Sequence, residues 1–178
     1  MSRIPTPAIE TATGVAAEVF AQIKKAAGGV PNTFAAIGAH GPAALKAVLQ
    51  AEGVLAAGTL SKQDQETIKL VVSVETGCDY CVAAHSLLGK MTGLNADDLK
   101  KIRDGGLTDD ERRNALITFA RTLVKTTGTI PQEAFTSIKD AGYTYEQLVD
   151  ISLAIALTVF TNTFNRINDT DIDFPAVK

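Results

Sequence analysis

Apolar residues recur along this chain at spacings of three and four, which is the periodicity of an amphipathic helix. Three of these runs follow a hydroxyl residue with an acid or amide three positions later, so we predict helix-capping boxes at Ser61, Thr108 and Thr144. Glycine or proline separates most of the runs, as expected between helices. The pattern therefore predicts an all-α protein.

The predicted helices cover residues 8 to 27, 32 to 39, 42 to 57, 61 to 76, 78 to 92, 95 to 104, 108 to 127, 131 to 141 and 144 to 167. One of them is ambiguous, because the segment from Ile68 to Val74 is rich in the β-branched residues that favour strands. The capping box at Ser61 and the length of the run favour a helix that is buried on most sides.

Composition fits a single folded unit. The 178 residues, 46% of them hydrophobic, suffice for one domain with a sizeable core, which we take to be residues 1–178. The mean hydropathy of +0.11 is high for a monomer of this size, and it predicts that some apolar surface is buried between subunits of a homo-oligomer.

Charge argues against two classes of partner. The net charge is −3 and the basic residues do not cluster, so we expect neither nucleic-acid binding nor binding to anionic membranes.

The first residues lack the apolar core of a signal peptide. The most apolar stretch, 148 to 160, is interrupted by Asp150, Ser152 and Thr158, and we expect it to be too short and too polar to span a bilayer. We therefore expect a cytoplasmic protein, where a close cysteine pair is more often redox-active or metal-binding than structural.

Both cysteines and one of the two histidines lie within eight residues, at Cys78, Cys81 and His85. On a continuous helix, steps of about 100° would put Cys81 about 60° and His85 about 20° from Cys78, so all three would share one face. Only a thiolate is nucleophilic, and a free thiol with a pKa of about 8.5 needs a base or a helix N-terminus to form one at neutral pH. His85 can act as that base, and the second cysteine can trap an oxidised partner as a disulfide. The alternative is two ordinary core cysteines beside a solvated histidine.

Glu66 lies in the second turn of a predicted helix, on a face that continues through Leu70. If it is buried near Cys78, it can take or relay a proton, and we expect desolvation to raise its pKa. The alternative is an ordinary acid stabilised by the helix dipole.

These residues resemble the core of the alkylhydroperoxidase D (AhpD) and carboxymuconolactone decarboxylase superfamily. The resemblance rests on Leu60-Ser61-x4-Glu66, on Gly77-Cys78-Asp79-Tyr80-Cys81-Val82-Ala83-Ala84-His85, and on Gly93-Leu94. It is strongest over residues 42 to 94; Val30-Pro31-Asn32 and Phe164-Asn165-Arg166-Ile167 further resemble the peroxidase-related branch. It implies an all-helical fold that assembles as a homo-oligomer, often a trimer or hexamer.

The resemblance also implies roles. Cys81 would attack the hydroperoxide and become a sulfenic acid, Cys78 would then close the disulfide, and His85 and Glu66 would move the proton. An outside dithiol, a lipoylated or thioredoxin-like protein in relatives, would reopen the disulfide, and no metal or cofactor would be needed. Tyr80 is a departure, because the best-studied AhpD type has a histidine directly before the attacking cysteine. A phenol is a poor base at neutral pH, so Tyr80 would alter the proton relay.

Three other functions remain open: a metal site built from Cys78, Cys81, His85 and Glu66, a cofactor-free decarboxylase, and a non-catalytic helical oligomer with a vestigial site.

Two further polar groups, at His40 and around Arg166, are interpreted as structural features of helix ends. His40 is interpreted as a C-terminal helix cap. Arg166, with Asn162 and Asn165, is interpreted as the polar end of an apolar helix, in a subunit contact or in solvent.

Overall fold

A computed structural model describes residues 1–177, and over that range it contains nine α-helices and a short 3-10 helix at Ile9–Thr11. The all-α prediction is confirmed. The α-helices are α1 Gly14–Ala27, α2 Asn32–His40, α3 Pro42–Ala57, α4 Lys62–Glu75, α5 Asp79–Met91, α6 Ala96–Arg103, α7 Glu111–Lys125, α8 Gln132–Asp140 and α9 Tyr145–Asn168.

Helix α4 lies at the centre and packs on α5, α6, α7 and α9. Ile68, Leu70, Val71 and Val72 are at most 1% exposed, so the helix is buried on almost every side. Full burial of such a side chain stabilises a fold by about 1.5–3 kcal/mol. The β-branched run is therefore a consequence of burial and not a strand, as the capping box indicated.

The predicted first helix, 8 to 27, is wrong at its N-terminal end. The 3-10 turn stops at Thr11, Thr13 is extended, and α1 begins at Gly14 with φ of +56°. Threonine and glycine are weak helix formers, and a left-handed residue breaks a continuous helix.

Two of the three predicted capping boxes mark real helix starts. The Ser61 side chain accepts a hydrogen bond from the Asp64 N–H, and Thr144 forms the full reciprocal box with Gln147. The prediction at Thr108 is wrong, because Asp110 caps α7. Aspartate is as strong an N-cap as threonine and stands next to the helix.

Helix α9 has 24 residues, and by length and a hydropathy of 1.4 it is the one described helix that could cross a membrane. It packs on α2, α3, α4 and α5, and 28% of its most apolar window is buried. The prediction that the apolar segment is too short to span a bilayer is therefore wrong by length, because the helix extends beyond residues 148–160 on both sides. Asn162 and Asn165 are at most 3% exposed, so these two asparagines lie inside the subunit and not, as predicted, in solvent or in a subunit contact. Asn168, one turn later, is also buried. Arg166 is exposed, as predicted.

Two helical glycines offer a test of the packing between α1, α2 and α3. A Cβ added at Gly38 of α2 would overlap the Phe20 ring and come within 2.8 Å of the Leu45 side chain. We expect Gly38→Ala to lower the free energy of unfolding by about 1–3 kcal/mol through overpacking. Gly53 of α3 has nothing within 4 Å of the added Cβ, so Gly53→Ala is the matched control, with an expected gain of about 0.5–1 kcal/mol. Denaturant unfolding of both variants checks this, and equal effects would contradict the packing described.

Candidate active site at the start of helix α5

A tight turn joins the end of α4 to the start of α5 and positions the first cysteine. Gly77 has φ of +66°, a conformation that favours glycine, and the Cys78 N–H donates to the Ser73 carbonyl at 3.0 Å. Cys78 is therefore the N-cap of α5 rather than its first helical residue, as the predicted helix from 78 would have required.

The two sulfurs nevertheless meet. Cys78 Sγ and Cys81 Sγ share a hydrogen bond 2.8 Å long, both thiols are free, and both residues are at most 3% exposed. A disulfide bond is about 2.04 Å long, so a small movement would close one.

The two thiols titrate as a pair. The hydrogen bond from Cys81 lowers the pKa of Cys78, whereas the same bond, together with burial, raises the pKa of Cys81. The first proton is thus lost with the negative charge favoured on Cys78, at the N-terminus of α5, where the helix dipole also favours an anion.

Glu66 and His85 form the second element of the site. Glu66 Oε2 lies 2.9 Å from His85 Nδ1, and both side chains are largely buried. Because a carboxylate can only accept, Nδ1 carries a hydrogen, and Nε2 is the nitrogen that can take up a proton when the ring is neutral, as a general base must. His85 is one helical turn beyond Cys81 on α5, and α4 supplies Glu66 from the facing helix.

The predicted direction of the Glu66 pKa is wrong. Burial alone raises this pKa, but the charge and the hydrogen bond of His85, with the charges of Lys69 and Lys62, together lower it. Lys69 Nζ lies 4.0 Å from Glu66 and 2.7 Å from Glu52, so a buried lysine links the acid to a second carboxylate. Glu66 is therefore a charged partner that orients His85, rather than a protonated acid.

The Tyr80 hydroxyl faces the C-terminal segment. It donates to Asp173 Oδ1 at 2.8 Å and accepts from the Thr33 N–H at 3.2 Å, while Phe174 packs edge-on against its ring. Burial and the Asp173 carboxylate raise the pKa of Tyr80, which keeps the phenol protonated. A part for Tyr80 in proton transfer stays a prediction.

Asn165 is the residue at the site that the sequence interpretation missed. Its Nδ2 donates to Cys81 Sγ at 3.2 Å, and its Oδ1 accepts from Thr33 Oγ1 at 2.7 Å. The available signal was the spacing of Asn162, Asn165 and Asn168, since three asparagines one turn apart in an apolar helix must share a face.

A cavity of about 270 Å³ opens beside the thiols. Cys78 lines it, together with Tyr80, Asn165, Arg166 and the segment 169–172, whereas Cys81 does not. Arg166, although exposed, therefore also lines the cavity beside Cys78. The cavity gives small molecules a route to the first sulfur.

Two other sequence interpretations do not match the geometry. Within residues 1–177 no group of three or more His, Cys, Asp or Glu side chains is placed to hold a metal ion, because the His85 ring pairs with Glu66 and the sulfurs face each other. His40 Nε2 bonds to the Pro5 carbonyl at 2.7 Å, so its ring ties down the N-terminal segment instead of capping α2.

Comparison with known proteins agrees with the resemblance inferred from the sequence. Residues 42–119 match the carboxymuconolactone decarboxylase family. They include α4, α5 and the five candidate residues Glu66, Cys78, Tyr80, Cys81 and His85. No curated protein sequence matches the chain. The resemblance to the AhpD and carboxymuconolactone decarboxylase superfamily is confirmed.

Solved structures share the fold over nearly the whole chain. The alkylhydroperoxidase AhpD core of a peroxidase-related protein from Ralstonia eutropha superposes with a TM-score of 0.86 at 22% identity, covering 97% of this chain and 92% of that one. A peroxidase-related protein from Silicibacter sp. gives a TM-score of 0.78 at 19% identity, with 95% and 92% covered. A cysteine-to-alanine variant of the debrominase Bmp8, in complex with 2,3,4-tribromopyrrole, gives a TM-score of 0.81 at 20% identity, with 97% of this chain and 92% of that one covered. At these identities the similarity establishes the AhpD-like fold, which is compatible with more than one chemistry.

The Glu66–His85 pair predicts how stability depends on pH. Because the folded state lowers the pKa of Glu66 below its ordinary value of 4.5, the stabilisation is present above that value and is lost as the pH falls through the lowered pKa. A variant without this carboxylate cannot show that loss of stability at low pH. We therefore expect Glu66→Gln to flatten the fall in the free energy of unfolding below about pH 5, measured by denaturant unfolding. The exposed-site variant Glu18→Gln should retain the parental slope, and a Glu66→Gln slope equal to the parent would contradict the pairing.

Proposed function

We propose that this protein reduces hydroperoxides with its thiol pair and ends each turnover with a Cys78–Cys81 disulfide. The observation that carries the proposal is the approach of two free, buried sulfurs to 2.8 Å at a helix N-terminus. A carboxylate-held imidazole one turn further along α5 supplies the base. The AhpD-like fold and the family match over residues 42–119 support the same class of chemistry.

The proposed cycle balances as two thiols and one hydroperoxide giving a disulfide, an alcohol and water. A thiolate attacks the terminal peroxide oxygen, the O–O bond breaks, and the leaving alkoxide takes the proton that His85 removed from the thiol pair. The second thiol then attacks the sulfenic sulfur, the S–O bond breaks, and water leaves. Both sulfurs are oxidised by one electron each, and the peroxide is reduced.

We assign the attack to Cys81, as the resemblance implies, because Asn165 donates to this sulfur and His85 lies one turn beyond it. The resting pair favours the charge on Cys78. Transfer of one proton across the 2.8 Å between the sulfurs moves that charge to Cys81. Cys78, which lines the cavity, is then the sulfur that an outside dithiol attacks when the disulfide is reopened.

The remaining parts of the proposal come from the sequence and the resemblance. The reductant would be a lipoylated or thioredoxin-like protein, and the cycle would run in the reducing cytoplasm. The cycle needs no cofactor, since both electrons come from the thiols.

Serine variants test the cycle and the assignment. Upon one equivalent of an organic hydroperoxide, we expect the parent to lose both free thiols. Cys78→Ser should stop at a Cys81 sulfenic acid, because its resolving thiol is gone, and Cys81→Ser should react at least tenfold more slowly. Free-thiol titration and sulfenic-acid trapping with mass spectrometry give the readout. A rapid sulfenate on Cys78 in Cys81→Ser, with an inert Cys78→Ser, would reverse the assignment.

The same variants separate the alternatives. A cofactor-free decarboxylase needs general acid–base groups but no thiols, so the double cysteine-to-serine variant would keep its turnover. A vestigial site would leave the parent unreactive, with both thiols titrating near pH 8.5. Removal of a halogen, the activity in the name of Bmp8, would also consume both thiols, but with release of halide in place of alcohol.

We also propose that the chain forms a homo-oligomer through the outer face of α9. Val149, Phe160 and Ile167 are 68%, 38% and 59% exposed on a helix whose opposite face is in the core, and such a face favours burial against another subunit. We expect sedimentation equilibrium to give a trimer or hexamer and Val149→Asp to shift it toward smaller species. A monomer at all concentrations would contradict this.

A further inference from the structure

Asn165 occupies the point where α9, the N-terminal turn of α2 and the thiol pair meet. The residue is 3% exposed, so each polar atom of its amide needs a partner within the protein. Its Nδ2 has Cys81 Sγ at 3.2 Å, and its Oδ1 has Thr33 Oγ1 at 2.7 Å. Both ends of the amide are therefore satisfied, one of them by a sulfur.

The orientation of this amide is imposed by a chain of hydrogen bonds. The Thr33 hydroxyl donates to Oδ1, which turns the NH₂ group toward the sulfurs. The Thr33 N–H in turn donates to the Tyr80 hydroxyl, and Tyr80 donates to Asp173. Asp173 accepts a second hydrogen bond from the Asn32 N–H at the start of α2, so the whole chain is anchored at a helix N-terminus.

A carboxamide has two N–H donors, and Asn165 directs one of them at a sulfur. One N–H serves Cys81, while Asn165 also lines the cavity that reaches Cys78. Its hydrogen bonding acts to lower the pKa of each thiol, although the bond to Cys78 and burial leave the pKa of Cys81 raised. The amide keeps its donors at every pH, because a carboxamide does not titrate.

We propose that Asn165 is a catalytic residue that stabilises the Cys81 thiolate by donating a hydrogen bond to it, with Thr33 as the residue that positions the amide. Asn165 gives and takes no proton. Hydrogen bonds to ionised acceptors are about twice as strong as neutral ones, so the bond favours the thiolate over the thiol. The catalytic part of this inference rests on the proposed function, whereas the hydrogen bond to the thiolate does not.

The test measures the pH dependence of the reactivity of the Cys81 thiol, with no peroxide present. In a Cys78→Ser background, where Cys81 is the single thiol, the rate of alkylation by iodoacetamide is followed against pH. We expect Asn165→Leu, which keeps the volume and removes the donor, to move the midpoint upward by about one pH unit, a tenfold loss of thiolate at a given pH. Thr33→Val should move the midpoint upward by less, because the amide donor remains and only the hydrogen bond that fixes its orientation is lost.

Asn162 provides the matched control. It lies one turn before Asn165 on the same face of α9, is 1% exposed, and donates to Thr76 Oγ1 and not to a sulfur. Asn162→Leu should therefore leave the midpoint in place while costing similar stability. A midpoint that is unmoved in Asn165→Leu, or moved equally in Asn162→Leu, would overturn the inference. Should Asn165→Leu fail to fold, an unmoved midpoint in Thr33→Val overturns it instead.

The experiments distinguish a failure of the proposed peroxidase function from a failure of the proposed role of Asn165. A parent protein that takes up no hydroperoxide overturns the proposed function and, with it, the catalytic role of Asn165, yet an upward midpoint shift would still support the bond to the thiolate. A reactive parent with an unmoved midpoint overturns the role of Asn165 alone.

Discussion

The turn between α4 and α5 is the constraint on which the candidate site depends. One backbone hydrogen bond, from Cys78 to Ser73, and the left-handed Gly77 set Cys78 at the N-cap of α5. Cys81 then follows in the first turn and His85 one turn later, beside Glu66 of the facing helix. Because α4 is buried on nearly every side, this arrangement is held by the centre of the fold rather than by a surface loop.

The site combines charges whose effects oppose each other. Burial alone would protonate Glu66, but His85 and Lys69 keep it charged, and a charged Glu66 holds the imidazole in the tautomer that accepts a proton. The thiol pair behaves differently, since one hydrogen bond lowers the pKa of one sulfur and raises that of the other. The result is a pair that loses one proton readily and holds the second strongly, which suits a reaction in which the sulfurs act in succession.

The sequence predicted local features better than long-range ones. Capping boxes and glycines located most helix ends, and the CxxC with His85 located the thiols, because these signals lie within a few residues of each other. The helix boundary at Gly14 and the Asp110 cap were missed, since several weak helix formers or several good caps stood side by side there. Asn165 was missed for a different reason: it lies 84 residues from Cys81, and only packing brings the two together. The sign of the Glu66 pKa likewise depends on the positions of His85 and Lys69, which periodicity does not give.

The proposed cycle requires the two sulfurs to pass two electrons to one hydroperoxide. Single-turnover product analysis tests it most directly, with fully reduced protein, excess organic hydroperoxide and no external reductant. We expect one alcohol released per chain, matched by one intramolecular disulfide in the non-reducing peptide map. No alcohol release with both thiols intact, or alcohol release that continues in the double cysteine-to-serine variant, would contradict this cycle.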